Sequence, residues 1–111
     1  MITCDSLVYQ PFQPSAAGLL CDGLPVQSIV ERGGTPVYVY SAEGIRHAYR
    51  ALDDAFATHP HHIHYALKAN STLAIVRLLR ALGSRMDANS KGEIQVAERV
   101  GFRPDEMVFT G

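Results

Sequence analysis

From His62 onward the chain alternates between short apolar runs and amphipathic helical runs, and this alternation restricts the fold more than any other feature. HIHYALK (62–68) reads as a strand, STLAIVRLLRALG (71–83) as a helix and RMDAN (85–89) as a strand. A helix from Ser90 to Gly101 follows, and MVFTG (107–111) begins another strand. Successive strands recur at a spacing of about 22 residues, long enough for helical crossovers, which join parallel neighbours. The expected fold class is therefore α/β. The short strands suit a barrel or a doubly wound sheet. A closed eight-unit barrel takes about 250 residues, and the 111 present are less than half of that.

Local punctuation supports the same elements. Ile75, Leu78, Leu79 and Leu82 form one stripe closed by Gly83. Ser90-Lys91-Gly92-Glu93 is a capping box, in which the serine hydroxyl and the glutamate each satisfy an orphan backbone N–H. Upstream, PVYVY (36–40) predicts a β-branched and aromatic strand. SAEGIRHAYRALDDAFATH predicts a helix with Ser41 as its N-cap. Tyr38, Tyr40, Phe56, Leu78 and Leu82 are expected in the core. Residues 1–35 carry Pro11, Pro14 and Pro25 with Gly18, Gly23, Gly33 and Gly34, so extended segments and turns are expected there, with at most one short helix near 25–32.

Lys68 stands out chemically. Strand alternation would put His64, Ala66 and Lys68 on one face and Ile63, Tyr65 and Leu67 on the other, packed against helices. Lys68 then lies at the C-terminal end of its strand, the edge where active sites of parallel α/β folds gather, and Ala66 leaves room for a flat ring. A lysine among apolar neighbours is disfavoured in its charged form, which frees its amine to attack an aldehyde. The competing reading is a strand-end lysine that reaches into water. These residues alone allow both.

The wider pattern, YALKANSTLAIVRLLRALG from Tyr65 to Gly83, resembles the lysine-site motif of the pyridoxal-phosphate-dependent group IV decarboxylases, the family of the diaminopimelate, ornithine and arginine decarboxylases. GTPVYVY, DANSKGEI and the closing VFTG extend the resemblance over residues 34–111, and LLCDGLPVQSIVERGGTP is most similar to the diaminopimelate branch. The resemblance implies an alanine-racemase-like, pyridoxal-phosphate-binding (β/α)8 TIM barrel and a separate β-domain. Residues 1–40 would contribute to the β-domain. Residues 41–111 would supply a leading helix and barrel strands one to three. Lys68 carries over as the residue that condenses with the cofactor aldehyde, and Asp87 as an aspartate near the cofactor. For Asp87 a strand-end turn role is the alternative, and the capping box already accounts for Glu93.

In the diaminopimelate branch the implied reaction is decarboxylation of meso-diaminopimelate at its D-configured centre, giving L-lysine, by a homodimer. Another amino-acid decarboxylase of the group (ornithine, arginine or carboxynorspermidine), a non-catalytic pyridoxal-phosphate-binding homologue and a plain βα-repeat domain are the alternatives. In the family the phosphate cradle, the acidic partner of the pyridine nitrogen and the substrate-binding arginines come later in sequence. These 111 residues alone are thus expected to be inactive, and the open barrel edge favours self-association.

The remaining features narrow the partners. A formal charge of −1, with no basic tract, gives no electrostatic reason to expect nucleic acid or an anionic membrane. The first basic residue is Arg32 and no apolar run approaches the roughly 20 residues of a membrane span, so a cytoplasmic location is expected. Cys4 and Cys21, without CxxC spacing, read as reduced thiols. HPHHIH (59–64) lacks a second ligand cluster and reads as a polar loop entering a strand, with no metal site.

Overall fold

The computed structural model describes residues 9–111, so Cys4 lies outside the described residues. These fall into two compact units, one ending at Ala51 and one beginning at Leu52. In the first, β1 (Phe12–Ser15), β2 (Gly18–Cys21) and β3 (Leu24–Pro25) form an antiparallel meander, with Phe12 opposite Cys21 and Ser15 opposite Gly18. Gly18, at φ 105°, makes the tight β1–β2 turn that a Cβ would strain. Helix α1 (Val26–Gly33) follows, matching the short helix expected near 25–32.

Helix α2 (Ala42–Ala55) opens at Ser41 as expected, its Oγ accepting from the Gly44 N–H at 2.7 Å. Asp22 doubles this cap. Its carboxylate accepts from the Ser41 hydroxyl at 2.5 Å, the Glu43 N–H at 3.2 Å and the Tyr9 hydroxyl at 3.3 Å. These donors, the Ser41 hydroxyl foremost, hold the Asp22 carboxyl below its ordinary range. The free thiol of Cys21 is buried next to it.

PVYVY is not a strand. Residues 36–40 have no ladder partner among the described residues, and β-propensity without a partner to take the backbone hydrogen bonds makes no sheet. Nor are its tyrosines core. Tyr38 is 87% exposed and stacks on the exposed Tyr40 with ring centroids 6.4 Å apart.

The second unit contains β4 (His64–Ala66), α3 (Leu73–Ala81), β5 (Arg85–Ala88), α4 (Lys91–Val100) and β6 (Met107–Phe109). The strands form one parallel sheet in chain order, with Ala66 in register with Asp87 and Asp87 with Val108. Period-two alternation sorts the faces. Met86 and Ala88 are wholly buried, as are most of Leu67, Ile75, Val76, Leu79, Ala97 and Phe102. The opposite face carries His64, Ala66, Arg85, Asp87 and Val108, and none of these is fully buried.

Three expected core positions shift here. The apolar stripe of α3 is centred on Ile75, Val76 and Leu79, which leaves Leu78 and Leu82 half-buried. Phe56, at the end of α2, is 50% exposed, because it lies over the His61 ring at the surface. Ser90 Oγ accepts from the Glu93 N–H at 3.2 Å, and the Glu93 carboxylate accepts from the Asn89 N–H, so the capping box holds with its return bond one residue earlier than the N-cap. Gly101 closes α4 at φ 100°. No helix among the described residues is long and apolar enough to cross a membrane.

Candidate active site

The three parallel strands end at one rim. There β4 runs into a 3₁₀ turn at Leu67–Ala69, β5 into Asn89 and β6 into Thr110. The strand is shorter than the sequence suggests. It stops at Ala66, so the direction of Lys68 is set by the tight turn and not by strand alternation. Lys68 is also exposed, in place of the expected apolar surroundings.

The neighbours of Lys68 each have a structural task. Leu67, 1% exposed, anchors the turn in the core. The Tyr65 hydroxyl donates to the Asn70 carbonyl at 2.9 Å, tying the far side of the turn to the strand. Asn70 Oδ1 accepts from the Thr72 N–H at 3.0 Å, at the start of α3, where the Thr72 side chain makes no capping bond. The Lys68 ammonium has no hydrogen bond or ion pair among the described residues. Four residues thus build a rigid mount around a fifth that is left uncommitted.

Asp87 lies on the neighbouring strand, in register with Ala66 on the open face. Its Oδ1 accepts from the Thr110 hydroxyl at 2.7 Å, a side-chain partner in place of the backbone N–H groups of a turn. Thr110 in turn accepts from the Asn89 amide at 2.8 Å, and Asn89 Oδ1 is buried without a partner among the described residues. Sequence reasoning did not single out Asn89 or Thr110. Both stand in stretches that carry the resemblance, DANSKGEI and VFTG, but their meeting depends on the β5–β6 register.

The histidine loop is used structurally. His61 Nε2 lies 2.7 Å from Asp53 Oδ1 and Nδ1 2.7 Å from the His59 carbonyl, so the protonated ring can donate to both. The two acceptors, the carbonyl first, raise the His61 pKa above its ordinary value. A cavity of about 360 Å³ lined by Arg80, Arg85, Phe102 and Arg103 lies at the opposite ends of the strands, away from Lys68, and Arg103 there is paired with Asp105 at 3.0 Å.

Residues 42–111 match the family model for the pyridoxal-binding domain of pyridoxal-dependent decarboxylases. The chain belongs to the pyridoxal-dependent decarboxylases. It is 42% identical over 95 residues to the diaminopimelate decarboxylase of Pseudomonas aeruginosa, covering 86% of this chain and 23% of that one. Among solved structures, the diaminopimelate decarboxylase of M. jannaschii in complex with L-lysine superposes with a TM-score of 0.83 at 32% identity, over 90% of this chain and 24% of that one. Lysine decarboxylase from Selenomonas ruminantium gives 0.72 at 27% identity, over 90% and 24%. The chain thus spans about a quarter of the length of these relatives. The fold expected from the sequence, the N-terminal part of a pyridoxal-phosphate-binding barrel, is borne out.

The family implies pyridoxal phosphate, and the side chains present fit it. The cofactor's aldehyde would need an uncommitted primary amine, and Lys68 presents one among the described residues. Its flat ring needs an uncovered surface with a small residue, and the sheet face bearing Ala66 meets that need.

Proposed function

We propose that this chain is the front part of a diaminopimelate decarboxylase, which uses pyridoxal phosphate to convert meso-diaminopimelate and a proton into L-lysine and carbon dioxide. The observation that carries the reading is the uncommitted ammonium of Lys68 on its rigid turn, within a stretch resembling the family's lysine site. Lys68 would be the residue that holds the cofactor, through its aldehyde, and the buried Leu67 would keep the lysine's backbone fixed at the rim. When bound, the cofactor supplies an electron sink for the pair left by departing carbon dioxide. Asp87 offers a carboxylate on the adjacent strand, in register with Ala66, at the rim that would receive the cofactor. Residues 1–40 belong to a separate β-domain and residues 41–111 to the barrel, and the resemblance carries a cytoplasmic homodimer.

The test is borohydride reduction of the complete cofactor-loaded enzyme followed by peptide mapping. The label is expected on Lys68 and is lost in Lys68→Ala; a label on another peptide refutes the assignment. The likeness to a lysine decarboxylase motivates a second reading, with a different amino acid as substrate. Carbon dioxide release from lysine or ornithine, and none from diaminopimelate, would establish it.

A further inference from the structure

The cavity of about 360 Å³ at the strand ends opposite Lys68 is walled by three arginines from three successive segments. Arg80 comes from the last turn of α3, Arg85 opens β5, and Arg103 precedes the 3₁₀ turn Pro104–Glu106 that leads into β6. Arg103 is committed. Its Nε and Nη2 donate to the two Asp105 carboxylate oxygens at 3.0 and 3.3 Å, and its backbone N–H donates to Glu106 Oε2 at 2.8 Å. One residue thus answers both acidic side chains of the cavity wall. Its hydrogen bonds are also the main cause of the lowered Asp105 carboxyl, to which Arg85 adds a smaller pull. The Arg80 and Arg85 side chains have no hydrogen bond or ion pair among the described residues. Arg80 lies over the Phe102 ring, 5.7 Å from its centroid, which steadies the guanidinium at the wall. Helices α3 and α4 both end nearby, but their Leu79 and Ala97 carbonyls already accept from the Ser84 and Phe102 N–H groups, each at 3.1 Å. These caps blunt the negative ends of the two helices.

We propose that Arg80 and Arg85 form a binding site for the phosphate group of a small molecule, at the end of the sheet away from the cofactor rim. The inference goes beyond the reading of Lys68 and does not depend on it. Each guanidinium presents a planar fork that takes two oxygens. One fork already fills both oxygens of a carboxylate, as Arg103 does with Asp105, whereas the three terminal oxygens of a phosphate group engage two forks at once. The cavity volume falls within the range of small-ligand sites, about 300–1,000 Å³, and leaves room for the rest of the molecule.

The experiment follows the thermal unfolding midpoint of the complete cofactor-loaded enzyme, freed of excess cofactor, against inorganic phosphate, with chloride holding the ionic strength constant. A ligand of the folded state raises the midpoint with concentration, and its dissociation constant follows from the curve. Arg80→Gln and Arg85→Gln are each expected to weaken phosphate binding about tenfold, the effect of losing a hydrogen bond to a charged group. Arg77→Gln, on an exposed residue of α3 outside the cavity wall, leaves the affinity unchanged. Asp105→Asn frees the Arg103 fork and removes a repelling charge. It is expected to tighten binding about fivefold, the effect of one charge a few ångströms away in water. Arg80→Gln also gives up the contact with Phe102, so Arg85→Gln and Asp105→Asn, which keep that contact, decide the question if Arg80→Gln does not fold. A midpoint that phosphate leaves unmoved, as when an acidic side chain from a later segment fills the cavity, overturns the inference. So does native affinity in Arg85→Gln, an equal loss in Arg77→Gln, or weaker binding in Asp105→Asn.

Discussion

Truncation of Leu67 tests the claim that the core fixes the position of the reactive lysine. Leu67 is 1% exposed, and it precedes Lys68 in a turn of three residues. Leu67→Ala removes three carbons from water-free surroundings, a transfer loss of about 2.4 kcal/mol at about 0.8 kcal/mol for each. The cavity left behind adds to this, because Val76 and Met86, both at 0% exposure, belong to a core already closed to solvent. A total of about 3–4 kcal/mol is expected, within the range for buried leucines. Urea unfolding of the complete enzyme, followed by circular dichroism, gives the loss as a lower midpoint at unchanged slope. Leu52→Ala is the control, since Leu52 is 48% exposed, and it is expected to cost less than about 1 kcal/mol. If Leu67→Ala costs no more than Leu52→Ala, the turn is not anchored as described, and the account of how Lys68 is held fails with it.

Three further predictions concern a helix cap and two charged groups. Ser41→Ala removes both the acceptor for the Gly44 N–H and the donor to Asp22, and is expected to cost about 1–2 kcal/mol in thermal or urea unfolding. The folded Asp22 carboxyl lies below its ordinary 3.8, so its contribution is present above that value and is lost as pH falls through the folded one. Asp22→Asn should therefore lower the unfolding midpoint at neutral pH and make little difference in acid below the folded value; an equal effect at both would contradict the assignment. His61 has the opposite sign, because its folded pKa is raised. Its contribution is complete below the ordinary 6.5 and disappears as pH rises through the folded value. Asp53→Asn is thus expected to destabilise at pH below 6.5 and to match the native protein in mild alkali, as checked by melting curves across that range.

Most of the second unit was legible because its signals are local. Ser90, Gly83 and Gly101 mark helix ends by their own backbone requirements, and the Ile75–Leu79 periodicity reports a buried face whatever lies across from it. The failures share a cause, namely dependence on a partner. PVYVY has the composition of a strand, yet a strand exists only where another backbone takes its hydrogen bonds, and composition does not state whether one is present. Tyr38, Tyr40 and Phe56 were assigned to the core on hydrophobicity, although large aromatics also sit on surfaces when they stack on one another or on a histidine. At the site, Lys68 was visible through its motif, but the end of β4 at Ala66 was not, since the next residues favour a strand locally and turn only because Leu67 is drawn into the core. Asn89 and Thr110 are separated by 21 residues, and only the β5–β6 register makes them neighbours.

The order of the sheet has a consequence for biosynthesis. Both register pairs, Ala66 with Asp87 and Asp87 with Val108, join residues 21 positions apart, and each strand lies beside the one translated just before it. At roughly 5–20 residues per second, a ribosome delivers each new partner about 1–4 s after the last. A nascent chain can dock β5 on β4 before β6 has been polymerised, so the mount for the lysine is finished while the strand that brings Thr110 to Asp87 is still to be made.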